Sequence, residues 1–313
     1  MAVEIERVVL FVGGVGGAKL AYGLKEVLPP EKLTIVVNTA DDFWLYGLRI
    51  CPDLDTITYT LGQRVNKQMG WGVANDTTQM LGMLGALGED TWFRLGDIDL
   101  ATHLLRTELL RNGMSLTDIT DRIRTSLGVQ HHILPMTDDT VATIVDTVEH
   151  GEMGFQTYFV RNRWQPVVQA LHYEGANTAT VTPQVQQAIE DASVIILGPS
   201  NPWLSIAPIL AVGDMRERLA SRDVPRIAVS PIVGGEAIKG PTAKIMAELD
   251  VPQHAKSVAG YYGDVINGFA YDNIDAPLQL DSLRTAAFQT IMKTDRDKIA
   301  LAEQLLGWIE SWS

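Results

Sequence analysis

A single cysteine, Cys51, in 313 residues leaves nothing to build an intrachain disulfide or a thiolate metal cluster from. It reads as a small semi-buried filler, because a free cysteine packs as a hydrophobe. Basic residues are also scarce: 25 Lys and Arg face 38 Asp and Glu, and the net charge of -13 argues against general nucleic-acid binding, which needs a basic surface. No apolar run approaches the roughly 18 to 20 residues that span a bilayer. Met1 to Arg7 mix acidic and apolar side chains and resemble no signal or transit peptide, so a soluble cytoplasmic protein is expected. No serine stands in a Gly-x-Ser-x-Gly elbow, and His131-His132 lacks a third ligand at zinc spacing. The acidic balance has one sharper consequence: a phosphorylated ligand is repelled by the overall field, so its site must carry local Lys, Arg, helix amino termini or a divalent cation.

What is present is a series of turns, each just after an apolar β-type run: Gly13 to Gly17, Asn38 to Asp42, Gly198 to Pro202 and Ser230 to Gly235. Arg7 to Val12 reads as a buried strand, Ala18 to Leu28 as an amphipathic helix ended by Pro29-Pro30, and Thr34 to Val37 as the next strand. Ser193 to Leu197 and Arg226 to Val229 start a second series, which continues with strands near Phe269 to Tyr271 and Phe288 to Met292. The expected fold is α/β, a Rossmann-like doubly wound, mainly parallel sheet of about six strands. Asn75 to Leu87 and Leu100 to Arg111 look helical, and Ser115 with Asp118 resembles a capping box opening a helix to about Leu127. Val141 to Val148, Phe155 to Val160 and Val167 to Leu171 look β-type, giving a core of residues 1-132 and 176-313 with a smaller β-rich insertion at 133-175. Thr182-Pro183 starts the helix that returns the chain to the core. Leu301 to Trp312, rich in Trp and Leu, either packs on the core or forms a homodimer contact.

In such a sheet, turns leaving the carboxyl ends of the strands share one edge, where ligands bind. The glycine turn, Gly13-Gly14-Val15-Gly16-Gly17-Ala18-Lys19, suits a phosphate at a helix amino terminus. It is no P-loop, which needs Gly and Ser or Thr where Ala18 and Leu20 stand, and no dinucleotide fingerprint, which needs Gly at Lys19. Asp41, Asp42, Asp53 and Asp55 put four carboxylates within fifteen residues. Magnesium takes one or two protein carboxylates, and Asp42 and Asp55 are the candidates; Asp41 and Asp53 read as turn or helix caps facing solvent. Asn75 or Asp76, and Asp97 or Asp99, read as caps of the helices they precede. Trp44 and Trp71 either pack in the core or stack on a flat heterocycle. Arg94 alone reads as a surface charge, and His103 as a satisfied histidine on a helix face. Ser200, Asn201 and Ser230 sit in rigid turns at the same edge, with Lys239 available as a phosphate counter-charge.

Taken in order, the turns resemble the 2-phospho-L-lactate transferase family, which makes the first phosphodiester of the deazaflavin coenzyme F-420. The resemblance is carried by Gly13-Gly14-Val15-Gly16-Gly17, Val37-Asn38-Thr39-Ala40-Asp41-Asp42, Ile50-Cys51-Pro52-Asp53-Leu54-Asp55-Thr56, Trp71-Gly72, Leu95-Gly96-Asp97 and Asp99-Leu100-Ala101-Thr102-His103. It continues through Leu134-Pro135-Met136-Thr137-Asp138-Asp139, Gly198-Pro199-Ser200-Asn201-Pro202 and Ser230-Pro231-Ile232.

The resemblance implies transfer of a phospholactyl or phosphoenolpyruvyl-type group from a guanosine-diphosphate-linked donor to the ribityl hydroxyl of the deazaflavin Fo, releasing GMP with Mg2+ present. It places Asp55 and Arg94 at positions that look like deazaflavin contacts, with Trp44 and Trp71 as stacking candidates. Asp42 and Asp55 would position Mg2+ or the attacking hydroxyl. Gly13, Gly14, Gly16, Gly17, Lys19, Asn38, Ser200, Asn201, Ser230 and Lys239 would serve the donor. Ile98 stands where family members often have Arg. The competing readings are an NAD(P)-type Rossmann oxidoreductase and a deazaflavin- or nucleotide-binding protein without turnover.

Overall fold

The first strand, β1 (Val8–Val12), is apolar and buried at every position, as a strand covered on both faces must be. The computed structural model describes residues 3–237, 240–275, 277–280 and 282–312. Helix α1 (Gly14–Val27) follows β1, then β2 (Leu33–Val37), a hairpin of β3 (Phe43–Leu45) and β4 (Leu48–Ile50), and helices α2 (Pro52–Leu61), α3 (Gln79–Ala86), α4 (Asp99–Arg111) and α5 (Leu116–Ser126). Next come β5 (His132–Pro135), then β6 (Ala142–Thr147), β7 (Gly151–Gly154) and β8 (Val168–Glu174). The second half runs through α6 (Pro183–Asp191), β9 (Val194–Leu197), α7 (Ala207–Leu210), α8 (Met215–Ala220) and β10 (Arg226–Val229). After it come the hairpin β11 (Ile232–Val233) and β12 (Glu236–Ala237), then α9 (Thr242–Glu248), α10 (Ala255–Tyr262), β13 (Gly268–Asp272), β14 (Arg284–Phe288) and α11 (Asp295–Glu310).

The central sheet has seven strands in the order β14-β13-β10-β9-β1-β2-β5, every pair parallel. From β1 the chain builds outward to β2 and β5, then crosses to β9 and builds outward to β14. The order therefore reverses between β1 and β9, and the crevice beyond their carboxyl ends is the ligand position of such sheets. The doubly wound α/β expectation holds with one strand more than foreseen. That strand is β5: Ile133 to Pro135 pair with Ile35 to Val37 in the main sheet, so the insertion's own strands begin at Ala142.

The insertion is a three-stranded antiparallel sheet, β7-β6-β8. Phe155 to Val160 is not a strand. Thr157–Arg161 form a π-type turn that buries Tyr158 and stacks the Phe155 and Phe159 rings at 5.2 Å, which four-residue spacing permits on a coil but not on a pleat. Tyr158 packs with Val145, Val168, Leu204 and Ile245, fastening the insertion to the second half of the core. The last strand also differs from expectation: it ends at Phe288, because the buried Asp272 carboxylate binds Thr290 through its N–H at 2.8 Å and its hydroxyl at 2.7 Å and turns the chain away.

Alternate residues of β1 serve opposite layers. Val9 and Phe11 pack with Val185, Ile209, Met215 and Val258, whereas Val8, Leu10 and Val12 pack with Leu20, Leu24, Leu54 and Leu305. Leu301, Leu305, Ile309 and Trp312 are buried in that second layer, so the carboxyl-terminal helix packs on the core. Ser115 and Thr182 cap α5 and α6 as expected, accepting the Asp118 and Val185 N–H groups. Among the described residues no helix is long and apolar enough to cross a membrane.

Helices α1 and α11 meet at Gly23, where a Cβ would lie 2.1 Å from the Lys298 carbonyl oxygen. Gly23→Ala must push two backbones apart, so it is expected to destabilise by about 1–3 kcal/mol. Gly82→Ala, in α3 where a Cβ meets nothing within 4 Å, is expected to stabilise by about 0.5–1 kcal/mol. Urea unfolding of the two variants checks the opposite signs.

Candidate active site

The turns meet at Asp53, in the first turn of α2. Its Oδ1 accepts the Gly14 N–H at 2.8 Å and its Oδ2 accepts the Asn38 amide at 3.1 Å. Gly14 opens α1, so the carboxylate lies at the positive end of that helix. The Gly13 N–H donates to Ser200 Oγ at 3.1 Å, and that hydroxyl donates back to the Gly13 carbonyl at 2.8 Å. The first three turns are thus joined through Asp53 and Ser200. Asp53 is buried, not the solvent-facing cap expected of it.

The glycines divide by cause. Gly14 has φ +63°, a conformation that favours glycine, with open space beside it. Gly16 and Gly17 are packing glycines: a Cβ would lie 2.3 Å from the Pro199 carbonyl oxygen at one and 2.6 Å from Val12 Cβ at the other. Other donor-side candidates hold structure. Lys19 Nζ donates to the Met292 carbonyl at 2.7 Å. Asn201 Oδ1 accepts the Trp203 and Leu204 N–H groups at 3.0 and 3.1 Å, and its amide donates to Thr242 Oγ1 at 3.0 Å. Ser230 Oγ closes its own turn, donating to the Ile232 carbonyl at 3.0 Å and accepting its N–H at 3.1 Å. Lys239 lies outside the described residues.

Beside Asp53, the turn after β2 concentrates unsatisfied oxygen. Thr39 Oγ1, Asp41 Oδ1, Asp42 Oδ1 and Thr143 Oγ1 are buried without a well-aligned hydrogen bond, although Thr143 lies close enough to Asp41, and Cys51 to Asp42, to favour the carboxylates. Burial, then the neighbouring charges of Asp53 and Asp42, pushes the Asp41 carboxyl well up, and the Asn38 and Thr143 side chains offset part of this. Burial pushes Asp42 up to about 7 against the pull of Arg49, and Asp53 up to about 6 against its Asn38 and Gly14 hydrogen bonds. The insertion holds this turn: the Thr143 N–H donates to the Ala40 carbonyl at 2.8 Å, and the Gln156 amide to the Asp41 carbonyl at 3.1 Å. Neither residue was singled out from sequence. The available signal was Thr143 itself, a hydroxyl between Val141 and Val145 on the buried face of a strand.

Asp55 points the other way, to α4. Both of its oxygens are held by the buried Arg106 guanidinium, Oδ2 at 3.1 Å, and His103 Nδ1 lies 3.6 Å from Oδ2. Asp55, Asp99 and His103 offer ligand atoms within 4.8 Å of one another, but a cation there would sit against a guanidinium that already satisfies Asp55. The oxygen-rich turn fits a hard dication better, because its carboxylates crowd one another and two of them retain an oxygen without a well-aligned hydrogen bond.

A small cavity of about 40 Å³ is lined by Trp71, Arg94, Asp76, Gly96 and Asp99, among others. Arg94 and Trp71 therefore share a wall, with Asp99 in place of Asp55 beside them. Trp44 is 56 % exposed on β3 and does not line it. The caps at this cavity are exchanged between helices. Asp76, before α3, accepts the Ile98 and Asp99 N–H groups at 2.7 and 3.0 Å at the start of α4. Asp97, before α4, accepts the Gln79 and Met80 N–H groups at 2.9 and 3.0 Å at the start of α3. Each was expected to cap the helix it precedes. Asn75, at φ +57°, is not helical, and α3 starts at Gln79 instead of at Asn75 as expected.

A doubly wound α/β chain with glycine and aspartate turns gathered at its switch point has the layout of a ligand-binding enzyme of that class. The model of the family described as 2-phospho-L-lactate transferase CofD matches residues 8–305, and the chain belongs to that family of transferases. It is 41% identical over 267 residues to a 2-phospho-L-lactate transferase of Methanosarcina mazei, covering 85% of this chain and 87% of that one. It is 40% identical over 316 residues to a phosphoenolpyruvate transferase of Streptomyces griseus, covering 97% and 98%. A crystal structure of a member of the UPF0052 family from Bacillus halodurans shares the fold, with a TM-score of 0.63 at 13% identity over 97% of this chain and 99% of that one.

A carboxyl raised by folding contributes stability that is present below its unfolded pKa and is lost as pH rises through the folded value. For Asp42 the window runs from about pH 4 to about 7. In EDTA, Asp42→Asn is expected to gain stability relative to the unsubstituted chain progressively across that window. Urea midpoints at pH 4.5 and 7.5 that differ by the same amount between the two proteins would contradict this.

Proposed function

We propose that the chain transfers a phospholactyl or phosphoenolpyruvyl-type group from a guanosine-diphosphate-linked donor to the ribityl hydroxyl of Fo, a step in forming coenzyme F-420. The observation that carries this reading is the group of buried oxygens without well-aligned hydrogen bonds in the turn after β2, at the edge where Asp53, Gly14 and Ser200 meet. Relatives of similar identity are named for both acids, so the donor's acid is left open between the two.

In the reaction, the acceptor oxygen bonds to the phosphorus bearing the acid, the P–O bond to the guanylyl phosphate breaks, GMP leaves and the hydroxyl proton is given up. No covalent enzyme intermediate is required, since phosphoryl transfer depends mainly on alignment and charge stabilisation. Asp42, buried with one oxygen 3.4 Å from Arg49, is the group we assign to take that proton. The amino terminus of α1 and the turn at Ser200 face the donor's phosphates. Arg94 and Trp71 flank the deazaflavin, and Asp55 contacts it from the α4 side. Asp41 with Asp53 would hold Mg2+, which would supply positive charge for the diphosphate; the sequence pointed to Asp42 and Asp55 for that role.

Incubation with Fo, Mg2+ and each guanylylated acid, followed by mass detection of the phosphodiester and GMP, tests the reading; no product from either donor would end it. Asp42→Asn is expected to lower turnover at least 100-fold, in the range general base catalysis contributes. Mg2+ is expected to raise the melting temperature of the unsubstituted chain and to leave that of Asp41→Asn unchanged. An equal rise in both would move the cation elsewhere.

A further inference from the structure

Arg106 is buried in α4, 2 % exposed, and spends its guanidinium on one carboxylate. Both Asp55 oxygens are held in a fork, and the same terminal nitrogen that reaches Oδ2 also lies 3.3 Å from His103 Nδ1 and 3.4 Å from the Arg49 carbonyl. A guanidinium only donates, so Nδ1 offers its lone pair and the ring hydrogen is assigned to Nε2. Nε2 faces Asp99 Oδ2 at 3.4 Å, and Asp99 Oδ1 accepts the Tyr59 hydroxyl at 2.7 Å. Asp99 also lines the cavity that holds Arg94. Polar groups therefore line up from the cavity wall through His103 and Arg106 to Asp55, with His103 Nε2 close to Asp99 but making no well-aligned hydrogen bond.

Stability does not account for such an alignment. Desolvating a guanidinium and two carboxylates is costly, and apolar groups of the same volume would hold α2 against α4 at least as well. What a two-pronged guanidinium supplies, and a lysine ammonium does not, is a fixed orientation for the carboxylate. We propose that Arg106, itself set by His103, is a positioning residue that fixes the Asp55 carboxylate for the deazaflavin acceptor and not for the donor; this rests on the reading above that Asp55 contacts the acceptor.

Steady-state kinetics with Fo and the guanylylated donor, together with fluorescence titration of Fo, test it on the full chain. Arg106→Lys keeps the charge but loses the fork, and is expected to raise the KM and Kd for Fo about tenfold while the donor KM stays within about twofold. His103→Gln, which keeps a donor toward Asp99, should raise the Fo KM about threefold and leave the melting temperature nearly unchanged. Because Arg106 acts through Asp55, Arg106→Lys combined with Asp55→Asn should be no worse than Asp55→Asn alone. Wild-type Fo binding in Arg106→Lys, equal losses for both substrates, or additive losses in the double variant would each overturn the proposal. If Asp55→Asn itself leaves the Fo KM unchanged, the reading of Asp55 fails; if it raises that KM and Arg106→Lys does not, only the positioning role fails. Should Arg106→Lys not fold, His103→Gln carries the same comparison, and a wild-type Fo KM there counts against the role.

Discussion

The arrangement depends on one buried carboxylate. Asp53 meets the first amide of α1 and the side chain of Asn38, which follows β2, so it fixes two strand ends and the helix between them to the start of α2. Burial alone would make this anion costly. Two N–H donors and the positive end of α1 offset that cost only in part, since its pKa is still raised to about 6. Two residues on, Asp55 leaves the same helical turn toward α4. The first turn of α2 thus separates two environments: a glycine and serine edge on one side, and a guanidinium-lined layer below the Arg94 cavity on the other.

Much of the sheet was legible because it follows from local pattern. Short apolar runs with turn formers after them read as buried parallel strands, and Ser115 and Thr182 cap the helices that their spacing predicts. The short strand β5 was assigned to the insertion because its few apolar residues look alike in either sheet; its pairing with β2 is a tertiary fact. Phe155 to Val160 misled for a related reason, since aromatic and β-branched residues favour strands until a core pocket takes Tyr158.

At the site, residue types were legible and their partners were not. Glycine is required at Gly14 by backbone conformation and at Gly16 by a carbonyl from a turn far along the chain, and a glycine-rich string reads the same for both. Asp76 and Asp97 show the limit most clearly: each has the spacing of an ordinary helix cap and serves the other's helix. His103 read as a satisfied histidine on a helix face and Arg106 drew no reading of its own, because sequence does not show that α4 turns them onto Asp55. Thr143 and Gln156 reach the aspartate turn only because the insertion folds back over it.

The charges around these turns do not balance. Asp41, Asp42, Asp53 and Asp55 are four buried carboxylates, and the guanidiniums acting directly on them are Arg49 and Arg106. The surplus negative charge lies on the Asp41 and Asp53 side, because Arg106 is committed to Asp55 and Arg49 leans on Asp42. Burial raises both carboxyls, and at Asp41 the neighbouring charges of Asp53 and Asp42 add to it, so without further positive charge protons relieve the surplus there. A chain with a net charge of -13 offers an approaching diphosphate no general attraction either. On the proposed reading both deficits have one remedy. A dication held by Asp41 and Asp53 would replace the protons, lower the cost of keeping the carboxylates buried and present positive charge at the amino terminus of α1, where the donor's phosphates would arrive.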